Sequence, residues 1–305
     1  MPLHIATPLI QSAILSARNG RDIWLKMEAL QPPGSFKIRG VGAACEAYAA
    51  RGAQKLLTSS GGNAGLAVAY AGQQLGLPVT VVVPETTTER AIRLLRDYDA
   101  TVMVHGPGWH EANQKALSLI DEQTAFIHPF DDPLLWQGHA SMIDEVAQQG
   151  LRPDAVVVAV GGGGLLSGVA EGMQRQGWDS VPLIAVETVG AASFHAAVEA
   201  GERVTLPAIS SVATSLGARQ VCQQAFQWAQ TRPVISRVVS DKAALQACEQ
   251  FLSDQRVLVE PACGAALALA YEQSAVLDSY RKVLFIVCGG ATAGIDQIRQ
   301  WLDKA

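Results

Sequence analysis

The chain has 305 residues, of which 49% are hydrophobic and 17% are charged, and 23 basic residues against 28 acidic ones give it a net charge of −5. The low charged fraction excludes an intrinsically disordered chain, since globular proteins average about 25%. A chain of this length also buries enough surface to fold without a metal or a disulfide. The mildly acidic balance, with no basic cluster, argues against nucleic acid and anionic membranes as partners.

The cysteines and the amino terminus predict a reducing compartment. The five cysteines are odd in number and widely spread, with no CxxC pair: Cys45, Cys222, Cys248, Cys263 and Cys288. This pattern disfavours both disulfides and zinc. The first residues, MPLHIATPLI, lack the basic and then apolar pattern of a signal peptide. The least charged stretch, 155–170, is interrupted by glycines, so we expect no membrane span and a cytoplasmic location.

Strand-like runs alternate with helix-length segments along most of the chain. In chain order, the pattern predicts strands followed by helices at 55–60 and 63–75, 79–84 and 88–98, 101–105 and 109–122, 155–160 and 164–176, 183–188 and 193–201, and 283–288 and 292–304. Short β-branched runs that alternate with helical segments are typical of βαβ units and a parallel sheet. The sequence therefore predicts an α/β fold, and composition alone marks no domain boundary in it.

Glycine is concentrated between the predicted strands and helices. Eleven of the 28 glycines lie in the segments 61–65, 161–168 and 289–294. Glycine lets the backbone approach an anion closely, and a helix that follows a strand presents free N–H groups and a positive dipole end. Three such loops in one chain indicate a site built from several anion-binding turns. For each loop taken alone, a plain tight turn is the alternative.

A lysine follows a Pro-Gly turn in the segment 33–40, which reads PGSFKIRG. A lysine amine that is removed from water loses its proton near neutral pH, and it can then attack a carbonyl to form a Schiff base. The alternative for Lys37 is a surface lysine at the start of a helix. The segment by itself does not decide between the two interpretations.

Together, these motifs resemble the fold-type II pyridoxal-phosphate enzymes, in the serine/threonine dehydratase family. The segment SFKIRG resembles the cofactor-lysine motif of that family, and 59–65 (SSGGNAG) resembles its loop for the substrate carboxylate. The segment 161–165 (GGGGL) resembles the tetraglycine phosphate loop, and 288–290 (CGG) resembles the segment that faces the pyridine nitrogen. Matching stretches between the motifs extend the resemblance over nearly the whole chain. Within the family, the resemblance is closest to the single-module L-serine dehydratases.

The resemblance implies a role for each motif. It makes Lys37 the catalytic, Schiff-base residue, with Phe36 packed beside the pyridine ring and Asn63 bonded to the 3′-oxygen of the cofactor. It assigns the remaining cofactor contacts to Gly161, Gly162, Gly163, Gly164, Leu165, Cys288 and Gly289. It assigns substrate binding to Ser60, Gly61, Gly62, Asn63 and Ala64. Pyridoxal phosphate needs an amine, an anion-binding loop and a group beside its ring nitrogen, and these motifs supply all three.

Cys288 and Gly61 are the two residues from which the resemblance implies the type of reaction. Cys288 occupies a position where much of the wider superfamily has serine or threonine, whereas the serine-dehydratase subgroup has cysteine. A thiol is a weak donor that will not hold the ring nitrogen protonated, and the weaker electron sink favours β-elimination. Relatives that racemise serine carry a serine hydroxyl at the position of Gly61, so glycine argues against efficient racemisation. We also expect Gly61 to leave extra room beside the substrate. The other four cysteines are interpreted as buried structural residues.

A cation site is also implied by the resemblance. Glu187, Ala191, Ser193 and Leu216 match the family's site, which is built from a carboxylate and main-chain carbonyl groups. Relatives that bind divalent ions have an aspartate near Ser193, and its absence here indicates a monovalent ion such as potassium. Oxygen ligands with one carboxylate suit a weakly charged, hard cation. A carboxylate in an ordinary salt bridge or helix cap is the alternative at Glu187.

The resemblance implies a lyase of amino-acid degradation that supplies gluconeogenesis. Its reaction is the pyridoxal-phosphate-dependent β-elimination of L-serine, with L-threonine as a second substrate, to pyruvate or 2-oxobutanoate and ammonia. The implied fold is tryptophan-synthase-β-like: a small domain at 33–132, a large cofactor-binding domain formed by 1–32 and 133–305, and no carboxy-terminal regulatory domain. A homodimer is also implied. Two alternatives stay open: β-replacement, such as cysteine synthesis, and a non-enzymatic pyridoxal-phosphate carrier or nucleotide-binding module.

Overall fold

The structure is a computed structural model that describes residues 1–305. The chain divides into two compact units: unit 1 comprises Met1–Ile5 and Gln31–His139, and unit 2 comprises Ala6–Leu30 and Ala140–Ala305. Each unit contains one β-sheet with helices, so the α/β class predicted from the sequence is confirmed. None of the helices combines the length and the hydropathy that crossing a membrane requires.

Ten strands and twelve α-helices make up the regular structure. The strands are β1 (Leu9–Gln11), β2 (Asp22–Lys26), β3 (Lys55–Thr58), β4 (Val79–Val83), β5 (Thr101–Val104), β6 (Thr124–Phe126), β7 (Ala155–Ala159), β8 (Leu183–Thr188), β9 (Val234–Val239) and β10 (Lys282–Ile286). The helices are α1 (Ala13–Asn19), α2 (Lys37–Ala50), α3 (Asn63–Leu75), α4 (Glu89–Arg96), α5 (Trp109–Leu117), α6 (Pro133–Gln148), α7 (Gly164–Arg175), α8 (Ser193–Ala200), α9 (Gln223–Thr231), α10 (Asp241–Gln255), α11 (Pro261–Tyr271) and α12 (Ile295–Leu302).

Unit 1 is built on a four-stranded parallel sheet with the order β5-β4-β3-β6. Its central strands, β3 and β4, are rich in leucine and valine and are mostly buried, as expected for strands that are covered on both faces. Small residues let α3 pack closely, because a Cβ on Gly72 would lie 2.0 Å from Cγ2 of Val79. The apolar core of the unit therefore forms around strands that the sequence pattern identifies directly.

Unit 2 is built on a six-stranded sheet with the order β1-β2-β10-β7-β8-β9, in which only β1 runs antiparallel to its neighbour. Every residue of β7 and β8 is buried. Every residue of α11 is buried as well, which is typical of a helix with no polar face that is packed inside a domain. Buried strands and a buried helix give this unit a large apolar core, on which its loops are mounted.

The three glycine-rich segments follow the carboxyl ends of parallel strands. The first follows β3 in unit 1, and the other two follow β7 and β10 in unit 2. Since β10, β7 and β8 are hydrogen-bonded neighbours and run parallel, their carboxyl ends meet at one edge of the sheet. Ligands in open α/β sheets bind at that edge. The topology therefore places the second and third glycine loops side by side within unit 2.

Most predicted elements agree with the structure, with shorter ends. The helix predicted at 63–75 and the strand predicted at 183–188 have the expected bounds. The helix predicted at 109–122 ends at Leu117. The final helix was expected from residue 292 but begins at Ile295, because Thr292 is hydrogen-bonded to Glu260 and Gly294 is an extended N-cap residue.

Close packing of α10 against α11 depends on Gly264. A Cβ at this position would lie 2.2 Å from the backbone oxygen of Ala244 and 2.5 Å from Sγ of Cys248. Alanine gains about 1 kcal/mol of helix propensity over glycine, but overpacking costs about 1–3 kcal/mol. We expect Gly264→Ala to lower the free energy of unfolding by about 1–2 kcal/mol in urea denaturation. Gly294→Ala is the control, because a Cβ there meets nothing within 4 Å; equal effects of the two substitutions would contradict the packing argument.

Candidate active site

Lys37 is the first residue of α2, and its amine is held at the carboxyl edge of the unit 1 sheet. Its Nζ donates a hydrogen bond of 2.6 Å to the carbonyl of Pro129, which follows β6. The same Nζ lies 5.2 Å from the centroid of the Phe36 ring. Because β6 and β3 are parallel neighbours, the amine lies at the edge that also carries the loop after β3. The structure thus brings Phe36, Lys37 and this loop to one edge of the sheet.

His139 supports the start of α2, a role that the sequence reasoning did not assign. Its ring packs against Phe36 with 4.8 Å between centroids, and its Nδ1 accepts the N–H of Gly40 at 3.1 Å. Burial lowers the pKa of His139 well below its usual range, and the nearby charges of Lys37 and Arg39 act in the same direction. The imidazole is therefore neutral, and its proton is on Nε2 because Nδ1 is an acceptor. It adds no charge beside Lys37.

The loop that precedes α3 folds tightly onto the helix start. Ser59 donates a hydrogen bond of 2.7 Å to Oδ1 of Asn113, and Oγ of Ser60 accepts the N–H of Gly62 at 3.4 Å. A Cβ on Gly65 would lie only 1.8 Å from the backbone oxygen of Ser60. The helix begins at Asn63 without a side-chain cap, so its first N–H groups are suited to an anion. Ser60, Gly61, Gly62, Asn63 and Ala64 form one continuous turn.

The position that a Cβ on Gly61 would occupy lies against the side chains of two other residues. A Cβ there would lie 3.0 Å from both Cγ2 of Thr87 and Cγ1 of Val83, and 3.3 Å from Oγ1 of Thr87. These distances are shorter than ordinary van der Waals contacts. The extra room that we expected beside Gly61 is therefore smaller than a methyl group, because Thr87 and Val83 bound it. The sequence carries no signal that pairs residue 61 with residue 87.

The tetraglycine loop of unit 2 connects β7 to α7 and requires glycine for two reasons. Gly163 has a φ of +94°, in the left-handed region. A Cβ on Gly163 would lie 2.5 Å from Cβ of Ala225 and 3.0 Å from Sγ of Cys222. The carbonyl of Gly162 accepts the N–H of Cys222 at 2.9 Å. Gly164 and Leu165 open α7, which has no side-chain cap, so its first N–H groups are suited to a phosphate.

Cys288 lies just after β10, at the sheet edge that also carries the tetraglycine loop. The residue is buried, with 6% of its surface exposed. A hydrogen bond with Cys263, burial and the negative charge of Glu260 together raise the pKa of Cys288 well above its usual range. Gly289, the next residue, has a φ of +87°. The sequence reasoning treated Cys263 as a packing residue, whereas the structure places it in contact with the residue predicted to face the ring.

The residues predicted for the cation site are all buried. Glu187 accepts the N–H groups of Phe194 at 2.8 Å and His195 at 2.7 Å, so it caps α8, as the alternative interpretation of this carboxylate requires. Burial raises the pKa of Glu187 to about 8, although these two hydrogen bonds oppose the shift. Oγ of Ser193 is buried and makes no hydrogen bond. Ala191 lies between them in sequence, and Cα of Leu216 is 3.0 Å from the position of a Cβ on Gly161.

Comparison with known proteins gives the same family as the motifs. The family model described as "Pyridoxal-phosphate dependent enzyme" matches residues 1–289. The Homo sapiens protein named L-serine dehydratase/L-threonine deaminase is 47% identical over 309 residues, covering 98% of this chain and 94% of that protein.

Solved structures agree over the full length of the fold. The fungal L-serine ammonia-lyase from Rhizomucor miehei matches with a TM-score of 0.93 at 36% identity, over 98% of this chain and 99% of that one. The structure of maize serine racemase matches with a TM-score of 0.89 at 26% identity, over 99% and 92% of the two chains. The predicted resemblance is thereby confirmed, and the chain belongs to the family of pyridoxal-phosphate dependent enzymes.

Proposed function

We propose that the chain is a pyridoxal-phosphate-dependent lyase, an L-serine ammonia-lyase that converts L-serine to pyruvate and ammonia. L-threonine, converted to 2-oxobutanoate and ammonia, is its second substrate. The observation that carries the proposal is the Lys37 amine, which is half-buried, packed beside Phe36 and hydrogen-bonded to the carbonyl oxygen of Pro129. The relatives named L-serine dehydratase/L-threonine deaminase and L-serine ammonia-lyase support the substrate class.

The residues present fit pyridoxal phosphate. Within unit 1, the amine of Lys37, the ring of Phe36 and the amide of Asn63 match groups that hold the cofactor in the family. Within unit 2, the loop from Gly161 to Leu165, in which Gly163 leaves no space for a side chain, matches the phosphate loop, and Cys288 and Gly289 match the segment that faces the ring nitrogen. When bound, the cofactor acts as an electron sink that makes the Cα proton of an amino acid removable.

Two groups of unit 1 act on the substrate. The turn of residues 60–64 binds the carboxylate through backbone N–H groups and the Ser60 hydroxyl, which orients the Cα proton. Lys37, once its amine is free, accepts that proton at Nζ as general base. The carbonyl of Pro129 accepts a hydrogen bond from the amine and so fixes its position. The neutral imidazole of His139 keeps α2 in place without adding a competing acid.

Gly61 and Cys288 select elimination among the reactions of the family. Gly61 has no hydroxyl, so position 61 offers no second base for returning a proton to the opposite face of Cα. The Cys288 thiol stays neutral because burial, Cys263 and Glu260 all disfavour its thiolate. A neutral thiol does not hold the ring nitrogen protonated. Both features favour loss of the β-hydroxyl over racemisation.

A monovalent cation, potassium, is proposed beside the tetraglycine loop. Its ligands would be the Glu187 carboxylate, the Ser193 residue and the main-chain carbonyls of Ala191 and Leu216. Two observations support this site: Ser193 has a buried hydroxyl with no hydrogen bond, and the Glu187 carboxylate is buried with two N–H donors and no positively charged partner among the causes of its pKa shift. A cation there would stabilise the ionised carboxylate.

The remaining proposals concern the setting of the enzyme. Unit 1 contains the small domain expected at 33–132, together with 1–5, 31–32 and 133–139, which were expected in the large domain; the rest of the expected large cofactor-binding domain forms unit 2. A homodimer is supported by the edge strand β1 and the adjacent α1, where Ile10 and Ile14 are 41% and 45% exposed. Five free cysteines, all buried, support a reducing cytoplasm. Pyruvate as product supports a role in amino-acid degradation and gluconeogenesis.

Lys37→Ala should abolish pyruvate formation, with a loss of at least about 10³-fold in kcat. The visible absorbance of bound cofactor should disappear as well, because no other amine takes the place of Nζ. Lys55→Ala is the matched control, since Lys55 is a surface lysine of the same unit paired with Asp121 at 2.5 Å. Retained turnover in Lys37→Ala would rule out the assignment. Formation of cysteine from O-acetylserine and sulfide, faster than pyruvate from serine, would instead favour β-replacement.

The potassium site should make activity dependent on the ion. We expect kcat/KM for L-serine to rise with potassium in the wild-type enzyme and to be insensitive to it in Glu187→Gln, which loses the charge but keeps the size of the side chain. The measurement is a titration of activity with potassium chloride at constant ionic strength. An unchanged potassium response in Glu187→Gln would show that Glu187 is only a helix cap.

Gly61→Ser alone should lower the rate of pyruvate formation, because its Cβ would press against Thr87 and Val83. Adding Thr87→Ala should restore part of the loss, since it removes one of the two contacts. We also expect the double variant to exchange the Cα proton of D-serine with deuterated water, as the added hydroxyl supplies a second base. Proton exchange and pyruvate are measured in the wild type, both single variants and the double variant. Full activity in Gly61→Ser alone would contradict the packing observed at this loop.

A further inference from the structure

We propose that Glu260 and Cys263, at the start of α11, are positioning residues that grip the segment 288–292 and keep Cys288 a neutral thiol. The inference rests on the proposed role of Cys288 beside the pyridine ring, and it assigns the control of that role to two residues that contact neither substrate nor cofactor in the proposed function. All the residues concerned belong to unit 2.

Glu260 grips the segment through Gly290 and Thr292. It is the N-cap residue of α11 and is 3% exposed. The Thr292 hydroxyl donates a hydrogen bond of 2.7 Å to Oε2 of Glu260. Gly290 has a φ of +124°, and a Cβ there would lie 2.0 Å from Cδ and 2.4 Å from Oε2 of Glu260. The carboxylate therefore fills the space that Gly290 leaves empty, and no other residue fits at position 290.

Cys263 grips the same segment at Cys288. It lies three residues after Glu260, so the two side chains emerge from the same face of the first turn of α11. The backbone N–H of Cys263 donates to the carbonyl of Glu260 at 2.9 Å, which fixes their spacing. Cys263 is fully buried and is hydrogen-bonded to the Cys288 thiol. One helical turn thus holds both ends of the segment that follows β10.

The charge of Glu260 gives the grip a chemical consequence. Hydrogen bonding with Cys263, burial and the negative charge of Glu260 act in the same direction on the pKa of Cys288, which is raised. The pKa of Cys248, a residue of α10, is also raised by burial, by Cys263 and by Glu260. A glutamine could make the same hydrogen bond with Thr292, so the negative charge is what distinguishes glutamate at this position. The charge of Glu260 disfavours a thiolate at Cys288. A thiolate there would stabilise a protonated ring nitrogen and so strengthen the electron sink.

The test measures the reactivity of each cysteine in the full-length protein. Wild type and Glu260→Gln are alkylated with iodoacetamide, with and without bound pyridoxal phosphate, and the rate at each cysteine is followed by peptide mass spectrometry. In the cofactor-free protein, we expect Cys288 to react about tenfold faster in Glu260→Gln, which corresponds to one unit of pKa. Cys45, whose pKa is raised by burial and by Glu46, and Cys222 should keep their wild-type rates and serve as internal references.

A second readout and two further variants separate charge from packing. The pH at which the visible band of bound cofactor changes should shift in Glu260→Gln, which a purely structural role would not produce. Thr292→Val keeps the charge and loses the hydrogen bond, so its effect on Cys288 should be smaller than that of Glu260→Gln. Cys263→Ala removes the thiol contact and should also raise the rate at Cys288. It provides the test if Glu260→Gln does not fold.

The outcomes distinguish this inference from the proposed function. Slower alkylation of Cys288 when the cofactor is bound supports its place beside the ring, and unchanged alkylation overturns that place without bearing on the grip. A wild-type rate at Cys288 in both Glu260→Gln and Cys263→Ala overturns the grip. An increase that is equal at Cys288, Cys45 and Cys222 also overturns it, because it reports general loosening of the protein.

Discussion

The common carboxyl edge of parallel strands determines where this protein can place reactive groups. Each strand that ends there is followed by a helix whose first N–H groups have no partner within the helix. In unit 2, β7 and β10 are neighbours, so the tetraglycine loop and Cys288 are adjacent. In unit 1, β6 and β3 are neighbours, and Lys37 is anchored beyond the end of one strand while the turn of residues 60–64 follows the other. The order of the strands in each sheet therefore determines which of these groups lie close together.

The glycines at these edges are explained by the side chains opposite them. Gly163 faces Ala225 and Cys222, Gly61 faces Thr87 and Val83, and Gly290 faces the Glu260 carboxylate. Each glycine is therefore one half of a pair, and its partner lies far away in sequence. The partners differ in chemistry, so glycines that look alike in the sequence have different surroundings: small side chains at Gly163, Thr87 and Val83 at Gly61, and a buried carboxylate at Gly290.

Burial disfavours the charged form of His139, of Cys288 and of Glu187. His139 is kept neutral by burial and by the cations around it, and Cys288 is kept neutral by burial, by Cys263 and by Glu260. The raised pKa of Glu187 has the same cause.

The sequence by itself determined the α/β class and the family, because strand and helix periodicity and the glycine and lysine motifs are local properties. It also placed α3 and β8 at their observed bounds. Only the tertiary structure showed that Glu260 fills the space at Gly290, that His139 supports α2, and that Thr87 bounds Gly61. These contacts join residues that are between 26 and 99 positions apart. No local pattern encodes such contacts, because they depend on how whole strands and helices pack together.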